Sequence, residues 1–118
     1  MFSRDVAGII ADYASEHKLL PWIDENDLYW SELSDNSNAI DLLKANPEKI
    51  NWLKLSHNTN AIDLLKANPE KINWLKLSKN PNAIDLLKAN PEKIDWLWGS
   101  SNPSIFEPSR DMILMRLV

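Results

Sequence analysis

NAIDLLKANPEKINWLKLS, residues 38–56, returns unchanged at residues 60–78, and NAIDLLKANPEKIDWLWGS fills residues 82–100 with three substitutions. The period is 22 residues. Units of that length leave apolar faces that only a neighbouring unit covers, so this stretch decides the fold class: all-α, a short solenoid of stacked helix pairs. Ala39, Ile40, Leu42 and Leu43 predict one helix over about 37–45. Ile50, Trp52, Leu53 and Leu55 predict a second over about 47–55. Asn-Pro pairs at 46–47, 68–69, 80–81 and 90–91 punctuate the copies. Proline suits a first helical position, where its missing N–H would have no intrahelical partner. The asparagine before it is expected to cap the helix by accepting an N–H from the first turn, and Asn36 and Asn58 are expected to act alike. Asn38, Asn60 and Asn82 fall within the predicted first turn of the first helix, where hydrogen-bond ladders between repeats account for them better than a polar groove does.

The register extends beyond the full copies. LYWSELSDN at 28–36 aligns with INWLKLSHN at 50–58, so Trp30, Trp52, Trp74 and Trp96 recur at the repeat spacing. The expected organisation is one domain over 1–118, with an N-terminal cap (1–27), a half-repeat (28–36) and three repeats (37–58, 59–80, 81–102). A partial repeat with a C-terminal cap (103–118) closes it. Val6, Ile9, Ile10 and Tyr13 predict an amphipathic helix over about 4–17. SRDMILMRLV at the other end predicts a closing helix capped by Ser109. That helix is expected to seal the stack, and Met112, Leu114, Met115 and Leu117 also offer an apolar contact for a homo-oligomer.

Charge is unevenly placed within a net of −4. Residues 1–36 hold two basic side chains against eight acidic ones, whereas residues 37–80 hold seven lysines against four acids. So mild a basic segment argues against nucleic acid as the partner. The chain contains no cysteine, which excludes disulfides and thiolate chemistry. No apolar run approaches the roughly 18–20 residues of a membrane helix, and Arg4, Asp5 and Asp12 interrupt any signal-like core. An intracellular protein, neither secreted nor membrane-spanning, is expected.

NPNAIDLLKANPEKIDWLW at 80–98, followed by SSNPSIFE at 100–107, resembles the short tryptophan-containing repeats of proteins from large DNA viruses of algae and amoebae. There, an NPxAIxLL motif, an NxxKIxW motif and a closing NPxIFE recur at about this spacing. The resemblance covers roughly residues 28–107. It implies an α-helical repeat protein of viral origin, working in the host cytoplasm or the virion, and brings no catalytic residues with it.

Candidate sites divide into scaffold and surface. A tryptophan at every copy could line a strip for peptide, sugar or bases, but an apolar stripe at repeat spacing is first of all core, and a spine between helix layers is expected. Lys44, Lys49 and Lys54 alternate with Asp41 and Glu48, and Asp41 with Lys44 is expected to pair within one helix turn. One register position behaves differently: it holds Asp35, then His57, then Lys79, on a nearly constant background. Variable loop positions on a constant scaffold are where repeat proteins place specificity, so Asp35, His57 and Lys79, with Lys54 and Lys76, are the candidate partner-binding residues. His17 and His57 are the only histidines, which leaves no metal cluster, and no cofactor motif is present. Near-identical copies offer the same residues in the same roles, which suits a surface rather than a reaction. The expected function is a non-enzymatic protein–protein interaction or scaffolding module, with a self-associating structural or virion-assembly component as the alternative.

Overall fold

The structure, a computed structural model, describes residues 17–109. Among these residues all regular secondary structure is helical, in short pieces: α1 (Trp30–Ser34), α2 (Ile40–Ala45), α3 (Trp52–Leu55), α4 (Ile62–Ala67), α5 (Trp74–Ser78), α6 (Ile84–Ala89) and α7 (Trp96–Gly99). Single 3₁₀ turns lie at Glu25–Asp27, Pro47–Lys49, Pro69–Lys71, Pro91–Lys93 and Pro103–Ile105. Equivalent helices of successive repeats lie side by side, α1 against α3 and α5 against α7. No helix among the described residues is long and apolar enough to cross a membrane. The predicted helix over 4–17, but for His17, and the self-association residues Met112, Leu114, Met115 and Leu117 lie outside the described residues.

The second helix of each repeat is not continuous. Pro47–Lys49 closes a 3₁₀ turn, Ile50 and Asn51 run extended with ψ of 131° and 102°, and only then does α3 begin. Two residues enforce the break. Extension buries Ile50 in the core, and Asn51 becomes the cap, its Oδ1 accepting the Lys54 N–H at 3.2 Å. Asn73 repeats that bond to Lys76, and Asp95 accepts from Leu97 and Trp98.

The expected role of Asn46 is therefore corrected. Its side chain accepts nothing from the turn that follows; its Nδ2 donates back to the Leu42 carbonyl at 3.0 Å and closes the end of α2. Asn68 and Asn90 do the same to Leu64 and Leu86. The first helix also starts later than predicted, at Ile40, because residues 36–39 form a turn. There Asn36 Oδ1 accepts the Asn38 N–H at 3.0 Å, and Asn58 Oδ1 accepts that of Asn60. Such a bond to the residue two ahead builds an Asx turn before the helix instead of capping it.

Leu43, Leu55, Leu65 and Leu77 are fully buried, joined by Ala39, Ala61, Ala83, Ile50, Ile72 and Leu87. Leu53, Leu75 and Leu97, assigned by periodicity to the apolar face, instead point outward. Polar ladders bind the repeats together. Ser34 Oγ donates to the Trp30 carbonyl at 2.8 Å and accepts the Asn51 N–H at 2.9 Å, and Ser56 and Ser78 copy both bonds one repeat on. Asn58 Nδ2 donates to the carbonyls of Ser34 and Asn36, Asn80 to those of Ser56 and Asn58, and Asn102 to those of Ser78 and Asn80. No buried side-chain nitrogen or oxygen among the described residues lacks a partner. Asn60 and Asn82 add exposed rungs to the carbonyls of Ser37 and Thr59.

Trp30, Trp52 and Trp74 are half-buried at the rim of the core, each with a lysine of the next repeat over its ring: Lys49 at 4.8 Å, Lys71 at 5.1 Å and Lys93 at 4.9 Å. The spine is thus a row of plates between core and cations. Trp96 is 60% exposed, and nineteen residues on, where the others have lysine, the sequence holds Met115. At the N-terminal edge, Leu19, Leu20 and Ile23 face Leu33, Ala39 and Leu42 around a cleft of about 350 Å³. At the other end Gly99 takes the register position of Leu55 and Leu77, and a cavity of about 220 Å³ opens beside Leu87, Ile94 and Trp96.

Candidate interaction groove

Stacking at a fixed period places equivalent residues next to one another. Glu32, Lys54, Lys76 and Trp98 occupy one register position, in α1, α3, α5 and α7. Asp35, His57, Lys79 and Ser101 occupy a second, in the turn after each helix. The two positions are three residues apart, so both face the same side.

Between them runs a groove of about 220 Å³ lined by Asp35, Leu53, Lys54, His57, Lys76, Lys79 and Trp98. All five partner-binding candidates from the sequence therefore lie on one surface. Leu53 and Trp98 complete it and were not among them. Leu53 was counted as core because helical periodicity does not reveal which apolar residues the next repeat covers. Trp98 had a usable signal: it breaks a position that is lysine in the two preceding copies.

The groove has direction. At its N-terminal end each acid meets a basic side chain one repeat away, Glu32 Oε1 lying 3.3 Å from Lys54 Nζ and Asp35 Oδ1 3.4 Å from His57 Nδ1. At its other end Lys76 Nζ and Lys79 Nζ stand 5.2 and 5.3 Å from the centroid of the Trp98 ring. Among the described residues neither of these lysines has a carboxylate within ion-pairing distance. The acid–base contacts here link repeats, and the expected pairing of Asp41 with Lys44 inside one helix is not formed; Asp41 Oδ2 accepts the His17 backbone N–H at 3.4 Å.

Exposed ion pairs such as Lys54–Glu32 contribute about 0–1 kcal/mol, so this surface is not a major source of stability. It sets two lysines, an aromatic plate and an aliphatic side chain on one shallow face. Among the described residues no group of three or more His, Cys, Asp or Glu side chains is arranged to hold a metal ion. Comparison with protein-family models, curated proteins and solved structures finds no match to this chain.

Proposed function

We propose that this chain is a non-enzymatic protein-interaction module whose contact surface is the groove between α1, α3, α5 and α7. One observation carries the reading. Serines and asparagines identical in every copy build the buried ladders, whereas two of the positions that vary, Asp35–His57–Lys79 and Lys54–Lys76–Trp98, lie side by side along one open groove. The resemblance of the repeats to those of large DNA viruses supports a working place in an infected host cell or a virion.

The test is selection of a displayed random-peptide library on the full chain, with counter-selection on a Lys54→Ala, His57→Ala, Lys79→Ala variant. Peptides retained by the native chain and lost by the variant are expected. A library that yields no discriminating peptide would overturn the proposal.

A second reading, self-association into an assembly component, draws on Trp96, Leu97 and Phe106, all exposed near the C-terminal end of the described stack. Sedimentation across a concentration series distinguishes it. Growth in mass that Trp96→Glu abolishes supports assembly, and a monomer throughout refutes it.

A further inference from the structure

Resting on the reading of the groove as a protein-contact surface, we infer that its occupant is a short acidic peptide segment. The segment sets a carboxylate against Lys76 and Lys79 and an adjacent apolar side chain on Leu53 and Trp98. The charge series along the two register positions carries this. In each, an acid stands on the first rung and faces a basic side chain on the second, Glu32 with Lys54 and Asp35 with His57. The third rung adds Lys76 and Lys79, and the fourth supplies Trp98 and Ser101 where an acid would balance them. The two ammonium groups converge on one ring, at 5.2 and 5.3 Å from its centroid. A carboxylate placed beside that ring lies within reach of the two cations and gives the third rung the acidic partner that the second rung already has.

Size and surroundings narrow the class. A groove of about 220 Å³ lies below the roughly 300–1,000 Å³ of small-molecule pockets and suits one or two side chains of an extended segment. Leu53, 45% exposed, and the half-buried Trp98 give an apolar side chain beside the carboxylate a surface to cover. A nucleic acid would bring many phosphates to two uncompensated lysines, past Glu32 and Asp35 and onto a chain of net charge −4. Nucleic-acid surfaces are far more one-sided than this.

The experiment is an NMR titration of the ¹⁵N-labelled full chain with the capped peptide GSEFEGS. GSKFKGS, GSEGEGS and single-stranded oligothymidine serve as alternative probes. Saturable shifts concentrated on the Trp98 indole N–H and the Lys76 and Lys79 amides are expected. Lys76→Gln with Lys79→Gln should weaken binding about tenfold or more. Trp98→Glu, which puts the missing acid on the fourth rung of the chain itself, should abolish binding while far-UV circular dichroism stays helical. The inference is overturned by no saturable shift at millimolar GSEFEGS, by binding that survives the double substitution, or by tighter binding of GSKFKGS or oligothymidine. If the library yields groove-dependent peptides that are neutral or basic, the acidic occupant falls while the contact surface stands; if it yields none, both fall.

Discussion

Asn80→Ala cuts the stack at its centre. Asn80 is fully buried, and its Nδ2 donates to the carbonyls of Ser56 at 3.1 Å and Asn58 at 3.0 Å, while its Oδ1 accepts the Asn82 N–H at 3.0 Å. Alanine removes all three bonds. The losses are not equal. The Asn58 carbonyl still accepts the Ala61 N–H at 3.1 Å, and Asn82 is exposed enough to turn to water. The Ser56 carbonyl, which has no backbone donor among the turn and loop bonds, is stranded. Net losses of about 0.5–1.5 kcal/mol for each of the two bonds whose partners stay satisfied, plus about 1–3 kcal/mol for the stranded group, total about 2–6 kcal/mol. That is a large share of the roughly 5–15 kcal/mol that holds a domain folded.

Asn90→Ala is the matched control. Asn90 makes one half-buried bond, to the Leu86 carbonyl at 3.0 Å, and its loss should cost about 1 kcal/mol. Urea unfolding followed by circular dichroism and tryptophan fluorescence measures both variants. Because stacked repeats couple through their nearest neighbours, Asn80→Ala should also separate the two probes or lower the denaturant slope. If Asn80→Ala falls within about 1 kcal/mol of Asn90→Ala, the buried ladder is not what couples the repeats.

Leu65→Ala, at a side chain with no exposure, should cost about 2–5 kcal/mol in the same assay, whereas Leu53→Ala in the open groove should cost under about 1 kcal/mol. Gly99→Ala should stabilise by about 0.5–1 kcal/mol, since an added Cβ meets Ile94 Cγ2 at 3.5 Å and Trp96 Cε3 at 3.6 Å, ordinary contact distances, and no positive φ demands glycine. A loss of stability there would show that the end cavity is closed by contacts a methyl group disturbs. Glu32→Gln should change stability by less than about 1 kcal/mol, and the small difference from the native chain should vanish at high salt; a larger, salt-independent loss would refute the reading of the exposed Lys54 pair.

Much of the fold was legible because a repeat states its own geometry. The period predicted stacked helical units, and the buried leucines and alanines fall where the apolar pattern put them. The missed details were competitions between local options of similar energy. Asn46 had both a helix end behind it and a proline ahead, and only its Nδ2 bond to the Leu42 carbonyl shows that the amide turns back. Residues 47–55 carry a helical pattern, yet burying Ile50 and capping at Asn51 splits the segment. Leu53 and Leu55 were equivalent apolar residues until the neighbouring repeat covered one of them.

The candidate site was legible in a different way. Asp35, His57 and Lys79 stood out by varying on a constant background, and the fixed period already placed them at equivalent points. By itself the sequence determined the helical class and the repeat register, because identical copies must fold alike and can bury their apolar faces only against one another. The tertiary structure alone decided that Leu53, Trp98 and the five polar candidates share one surface, and that Lys76 and Lys79 converge on one ring. Those distances span different repeats, and how one rung sits on the next is set by the packing of buried leucines and by the serine and asparagine ladders between them.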